Sequence, residues 1–375
     1  MARDSFFAES DGVLSGSDRL NYPLLTADSE FELRSHLVRM GICAAGEPFV
    51  GVTRAGEGNM NLVLRVEMPG RSVIVKQSRP WVQKYPSITA PDDRIDSEAA
   101  FYQWVAKEPS LAASMPKVLA EDLPHRILVL EDLNGIEDGS VFYQRSSSTG
   151  QTLSTAETCF RAAAGWLSRL HEQSRRADPT RTDAMDRLGC RPLLQLNHDH
   201  IFTIPFSESP PIDLDGVCDG LTEASLPIRM DDDLVAIAQH LGEVYLGRSD
   251  RHARERGVVL HGDFYPGSWL VRDDRVWIID PEFCCLGVAE FDLGVLLGHW
   301  LFCRGAHSDN DDAAGGEVLA WYGDGAVNED LVRQFAGVEM VRRLLGVAQL
   351  PIEADLTTRR RWLEIATGWM RRNAT

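Results

Sequence analysis

Two short motifs hold the most reactive side chains of this chain: His261-Gly-Asp263, opening Leu260–Ser268, and Asp280-Pro-Glu282, closing Val276–Phe283. The apolar residues around them read as a strand, a tight turn, and a second strand ending on two carboxylates. Such a set suits phosphoryl transfer. One carboxylate must accept the proton of an attacking hydroxyl, and others must hold Mg²⁺ against the β- and γ-phosphates of ATP. Asp263 is the expected base, with Asp280 and Glu282 as expected metal ligands. Residues two apart in an extended segment point the same way, so both would face the phosphates. A lone His-Gly-Asp reads equally well as a turn with a capping carboxylate. Both motifs in order favour the chemical reading.

The partners such chemistry needs lie upstream. Gly56-Glu-Gly58-Asn59-Met-Asn61 is a glycine turn between strands, where backbone N–H groups can approach phosphate oxygens. Lys76 ends the strand after next, where kinases keep a phosphate-pairing lysine. Glu98 falls on the following helix, placed to pair with it. Leu128-Val-Leu130-Glu131-Asp132-Leu133 is the expected hinge, with the backbone of Leu130 and Glu131 facing adenine and Asp132 capping the next segment.

The elements that must position these residues change character along the chain. Ser29 and Glu32 form a capping box opening a helix to about residue 40. Strands are expected at 49–53, 61–66 and 72–76, with a turn at Pro69-Gly70. A helix follows over 92–107, with Ile95, Ala99, Tyr102 and Val105 at helical spacing, then a strand over 125–130. Beyond residue 138 the pattern is mostly helical: 155–172, 231–246, 329–345 and 357–371. This is an α+β, protein-kinase-like bilobal layout. An arm (1–27) precedes a small antiparallel β-rich nucleotide-binding N-lobe (28–133) and a larger, mainly helical C-lobe (134–375) that binds substrate.

The 38 basic and 56 acidic residues leave a formal charge of −18, which argues against nucleic acid as a partner. No apolar run approaches the roughly 20 residues of a membrane span, and no membrane partner is expected. Arg3, Asp4, Glu9, Asp11 and Asp18 give the start no signal-peptide character. Seven scattered cysteines without CxxC spacing suggest reduced thiols and a cytoplasmic location. A homodimer stays open.

These pieces resemble the aminoglycoside phosphotransferase and choline kinase superfamily, and within it the 5-methylthioribose kinases. Four stretches carry the narrower resemblance: the glycine loop Glu57–Val66, the lysine strand Ser72–Gln77, the catalytic loop with its Asp-x-Glu variant, and the twin-arginine helix Glu339–Ala348. The resemblance implies MgATP as the phosphoryl donor and a sugar hydroxyl as acceptor. It implies Gly56, Gly58, Asn59 and Lys76 at the nucleotide, Ser268 at the metal, and Asn61, Arg342 and Arg343 at the substrate. Position 265 is Tyr, where the family usually has His. Ser268 replaces the superfamily's usual Asn, as it does in the methylthioribose kinases. Residues 81–92 lack that family's Trp-Pro pair, which Tyr85-Pro86 partly replaces.

Arg342 and Arg343 lie about 100° apart on a helix whose apolar face carries Val338, Val341 and Leu345, so one of them faces the site. The alternative for them is a salt bridge to one of the chain's many carboxylates. His171 reads as a core histidine, and Trp300, Trp321 and Trp362 as apolar helix faces. His198 and His200 alternate in a loop but lack further metal ligands, and Asp231 to Asp233 read as a helix N-terminus. Rival readings are an aminoglycoside or amino-alcohol (choline- or homoserine-type) phosphotransferase, opposed by the arginines, and a catalytically silent nucleotide-binding kinase fold.

Overall fold

The computed structural model describes residues 21–56, 60–144, 150–176, 187–248, 257–305, 311–323 and 327–373. The chain divides into two compact units, Met1–Gly135 with Asp183–Leu193, and Ile136–Thr182 with Leu194–Thr375.

The first unit is built on a five-stranded antiparallel sheet. Its strands are β1 (Gly51–Arg54), β2 (Leu62–Met68), β3 (Arg71–Gln77), β6 (Val118–Asp122) and β7 (Ile127–Glu131), in the order β1-β2-β3-β7-β6. Alternation decides which face each residue serves. Leu62, Leu64, Val66, Val73, Val75, Ile127 and Val129 pack with Leu33 and Leu37 of α1 (Glu30–Arg39). The opposite face presents Leu128 to Ile95 and Ala99 of α2 (Arg94–Val105). Lys76 pairs in register with Leu128, so it too belongs to the α2 face.

Three expectations change in this unit. Ser29 starts α1 without a side-chain cap; its hydroxyl instead accepts from the Thr26 N–H at 3.1 Å, so no capping box forms. Residues 81–92 hold a hairpin of β4 (Trp81–Val82) and β5 (Tyr85–Thr89). Within the expected arm, residues 1–20 lie outside the described residues. Leu25, however, is fully buried in the sheet's core, and its N–H donates to Gln77 Oε1 at 2.8 Å.

The second unit is mainly helical. Its helices are α3 (Val141–Gln144), α4 (Gly150–Arg176), α5 (Arg191–His198, which starts in the first unit), α6 (Leu221–Arg229), α7 (Asp232–Tyr245), α8 (Ala289–Arg304), α9 (Asp311–Tyr322), α10 (Glu329–Leu345) and α11 (Leu356–Met370). Asp231 caps α7 by accepting from the Leu234 N–H at 3.0 Å. Helix α8 is buried almost all round and packs on α10, which packs on α11. The close approach of α8 and α10 depends on Gly294, where a Cβ would come within 2.4 Å of Phe335 Cβ. Two small sheets frame the reactive loops: β9 (Val258–Leu260) pairs with β12 (Cys285–Gly287), and β10 (Trp269–Arg272) lies between β11 (Arg275–Ile278) and β8 (Glu137–Asp138). Among the described residues no helix is long and apolar enough to cross a membrane. All seven cysteines are free. The Trp300 and Trp362 side chains are buried, and Trp321 meets Trp300 edge-on at 5.2 Å.

Candidate active site

In the first unit, the Lys76 ammonium lies 2.8 Å from the Glu98 carboxylate, and both side chains are almost wholly buried. The sheet register puts Lys76 opposite α2, and α2 brings Glu98 beneath it. Gly56 has φ +74°, a left-handed turn suited to glycine, and Asn61 is buried just before β2. Gly58 and Asn59 lie outside the described residues. At the end of β7 the Glu131 N–H donates to Lys117 O at 2.8 Å, while Leu130 stands in the ladder between β3 and β6. Asp132 does not cap the next segment. It accepts two bonds from Arg65, at 2.7 and 3.1 Å, and one from the Ser72 hydroxyl at 2.6 Å, tying the end of β7 to β2 and β3.

A second polar cluster in this unit brings His36, Asp122 and His125 together. Arg39 Nη2 contacts both Asp122 Oδ2 and His36 Nδ1, so a guanidinium already occupies the place where a cation would sit.

In the second unit, β9 delivers His261-Gly262-Asp263 into a loop that is fixed from below. Both Asp292 oxygens, buried on α8, accept backbone N–H bonds: His261 to Oδ2 at 2.7 Å and Gly262 to Oδ1 at 3.0 Å. Sequence reasoning missed Asp292; its signal was a carboxylate directly before the apolar run Leu293–Leu297. Gly262 has φ +86°, and a Cβ there would lie 2.1 Å from the Phe283 carbonyl oxygen, so only glycine fits. The His261 imidazole is buried, which pushes its pKa down, and its Nε2 donates to Ile279 O at 2.9 Å. Phe264 stacks on Trp166 with centroids 5.7 Å apart, anchoring the loop in the core. His171 is fully buried on α4, 3.0 Å from the Tyr322 hydroxyl, as a core histidine should be.

The Asp263 carboxylate keeps some exposure while its Oδ1 takes both arginines: Arg342 Nη1 at 3.3 Å and Arg343 Nη2 at 3.0 Å. Both guanidiniums also bind Glu339, one turn back on α10, with Arg342 Nη1 3.0 Å from Oε2 and Arg343 Nε 2.6 Å from Oε1. The salt-bridge reading made from sequence therefore holds, and both arginines, rather than one, turn to the same loop. They are buried ion-pair partners, and they reach the expected base. Burial alone would push the Glu339 carboxyl up; Arg342, Arg343 and the His299 bond hold it well below the usual range. Arg343 also lies over the Tyr265 ring, its guanidinium carbon 4.2 Å from the centroid.

His200 sits on a π-turn (Asp199–Thr203) after α5, where burial and the Arg342 charge lower its pKa. His198 ends α5 and His200 lies on this turn, so the two do not alternate in a loop.

Asp280 stands at φ +58°, a left-handed backbone unusual outside glycine and asparagine. Glu282 is buried on the 3₁₀ turn Pro281–Phe283, so the extended segment expected to point both carboxylates the same way does not form. Asp138, which the sequence reading did not select, has an open surface but enough protein around it to raise its carboxyl, and the Asp280 carboxylate raises it further. Ser268 donates to Asp263 O at 2.8 Å and keeps its oxygen lone pairs. An all-oxygen donor set, with two carboxylates repelling one another, fits a hard divalent cation such as Mg²⁺.

Known proteins resemble this chain in sequence and in fold. The chain is 29% identical over 296 residues to a methylthioribose kinase of Yersinia pseudotuberculosis, covering 74% of this chain and 66% of that protein. The chain thus spans just under two thirds of the length of these relatives. A methylthioribose kinase of Geobacillus thermodenitrificans is 26% identical over 362 residues, covering 85% of this chain and 83% of its own. Among solved structures, a microcompartment-associated aminopropanol kinase superposes with a TM-score of 0.50 at 15% identity, over 91% of this chain and 95% of that one, a likeness of fold. The pattern of the phosphotransferase enzyme family matches residues 51–327, and the chain belongs to that family.

Proposed function

We propose that this chain is an ATP-dependent kinase of a small hydroxylated molecule, transferring the γ-phosphoryl group to 5-methylthioribose or a closely related sugar. The observation that carries the proposal is the Asp263 carboxylate, held at the end of a rigid loop by two guanidiniums on a single oxygen. Among the described residues no side chain bonds its other oxygen, Oδ2, which suits it to receive a substrate hydroxyl. Asp263 orients that hydroxyl and accepts its proton. In the first unit (residues 28–133 as the nucleotide-binding region), Lys76 steadies the phosphates and Glu98 orients Lys76. Gly56 approaches phosphate through its backbone, and Leu130 and Glu131 meet adenine. Asp280 and Glu282, with Ser268 and Asp138, would hold Mg²⁺, which neutralises charge on the phosphates when bound. Residues 134–375 supply the acceptor site, with Arg342 and Arg343 at the substrate.

The methylthioribose kinases among the relatives support the sugar reading. Two buried arginines beside Asp263 also disfavour a cationic acceptor such as an aminoglycoside or choline. As a sugar kinase of this kind, the enzyme would be a cytoplasmic member of methionine salvage.

The test is ATP turnover against a panel of 5-methylthioribose, other pentoses, aminoglycosides and choline, with Asp263→Asn as control. Turnover confined to the thiosugar and lowered by about 10² or more in the variant, with ATP affinity within a few-fold, is expected. Turnover on a cationic acceptor alone overturns the sugar reading, and ATP binding without any turnover favours a silent kinase fold.

A further inference from the structure

Behind Arg342 and Arg343 lies a polar chain of three further side chains. The Tyr143 hydroxyl on α3 lies 2.5 Å from His299 Nδ1, and His299 Nε2 lies 3.0 Å from Glu339 Oε1. Glu339 in turn holds both arginines, and both arginines hold Asp263. The chain crosses four segments remote in sequence: α3, α8, α10 and the loop after β9.

Each member is buried. His299 is fully enclosed and Glu339 nearly so, and the Tyr143 side chain is 2% exposed. A carboxylate and two guanidiniums placed so deep must be paired to be tolerated. Glu339 and Asp263 carry two negative charges and Arg342 and Arg343 two positive, so the quartet is neutral.

With Glu339 ionised, His299 must donate through Nε2–H. Its Nδ1 is then an acceptor, and the Tyr143 hydroxyl fills it. This fixes one neutral tautomer and one direction for every hydrogen bond along the chain. Burial supports the assignment by pushing the His299 pKa down to about 4, although the Glu339 bond works the other way.

We propose that Tyr143, His299 and Glu339 are positioning residues that set the two arginines, and through them Asp263, for the phosphoryl transfer proposed above. None of the three is a catalytic residue. Glu339 alone could turn toward either arginine or toward the protein interior. The His299 Nε2–H claims its Oε1 and pins the carboxylate in the plane that presents Oε1 to Arg343 Nε and Oε2 to Arg342 Nη1. Arg343 Nη2 and the same Arg342 Nη1 then converge on one oxygen of Asp263. A relaxed carboxylate would let either guanidinium swing, and the base would lose its fixed direction. Small displacements of a reacting group cost roughly tenfold to a hundredfold in rate.

The proposal rests on the kinase reading, so the experiment separates the two. Tyr143→Phe, His299→Leu, His299→Gln and Glu339→Gln are compared with wild type by kcat and KM for ATP and sugar, normalised to folded protein. Exchange of the Arg343 Nε–H is followed by NMR on ¹⁵N-arginine protein, a measurement that needs no turnover. The relay predicts that His299→Leu and Glu339→Gln lower kcat about tenfold or more with KM for ATP unchanged. It predicts a smaller loss in Tyr143→Phe, and partial rescue in His299→Gln, which retains a donor to Glu339. It also predicts loss of Arg343 Nε–H protection in His299→Leu. Wild-type turnover per folded molecule in His299→Leu and Glu339→Gln, or retained protection of the Arg343 Nε–H, overturns the relay. A wild type inactive on every acceptor defeats the kinase reading alone, and the exchange measurement still decides the relay.

Discussion

The guanidinium carbon of Arg343 lies 4.2 Å from the centroid of the Tyr265 ring, so Tyr265 of the loop after β9 is the platform for an arginine of α10. The His299 imidazole lies 5.0 Å from the same ring. Burial pushes the Tyr265 phenol up to about 12, so it is un-ionised at neutral pH and its ring face supplies the interaction. Tyr265→Phe is expected to keep kcat within about threefold, whereas Tyr265→Leu loses a partly desolvated cation–π contact of about 1–2 kcal/mol and roughly tenfold in kcat. Steady-state kinetics on folded protein checks both; equal loss in the two variants would assign the role to the hydroxyl.

The Lys76–Glu98 pair separates stability from activity. Each partner is nearly inaccessible, so Lys76→Ala strands a buried carboxylate and should cost about 3–5 kcal/mol in urea unfolding as well as turnover. The double variant Lys76→Met with Glu98→Leu removes both charges and should recover most of the stability while remaining inactive. Recovery of turnover in the double variant would remove Lys76 from the phosphate role.

Gly262→Ala meets two obstacles at once, a left-handed φ of +86° and a Cβ 2.1 Å from the Phe283 carbonyl oxygen. Backbone cannot yield as a side-chain tip does. The expected loss exceeds the roughly 1–2 kcal/mol of left-handed strain alone, with the loop displaced and turnover abolished. Thermal unfolding and turnover of the purified variant test this, and a melting temperature within a degree or two of wild type would contradict it.

Acid should weaken the fold through its buried histidines. Burial lowers His299 from 6.5 to about 4, so the folded protein keeps it neutral while the unfolded chain takes up a proton below about 6.5. Its contribution is complete above pH 6.5 and is lost progressively as pH falls toward 4. His36, His200 and His261 shift in the same direction, each also through burial, and add to the slope. Glu339, held low by its arginines, contributes stability that disappears only at still lower pH. Melting temperatures across pH 4–7 should therefore fall with acidity, and His299→Gln should flatten the curve in that window. An unchanged slope in the variant would show that His299 is already protonated in the fold.

What the sequence determined by itself was local. Period-2 alternation in Leu62–Met68 and Arg71–Gln77, the Pro69-Gly70 turn, and helical spacing through Glu329–Leu345 follow from short-range geometry, and these elements stand where the pattern put them. The motif His261-Gly-Asp263 was legible because a tight turn is also a local constraint, whereas the extended reading of Asp280-Pro-Glu282 gave way to a left-handed Asp280 and a 3₁₀ turn. Tertiary structure alone decided who partners whom. Ser29 and Glu32 matched a capping box, yet the Ser29 hydroxyl went to Thr26. Asp132 read as a cap and became an anchor for Arg65 and Ser72. Asp292 and His299 looked like exceptions in an apolar helix, because nothing in their neighbours along the chain names the loop N–H groups or the carboxylate they meet. A buried polar or charged group is tolerated only where its partners are brought to it, and for Asp292 and His299 those partners come from distant segments. The identity of such a residue follows from packing between elements, and no spacing within one element encodes it.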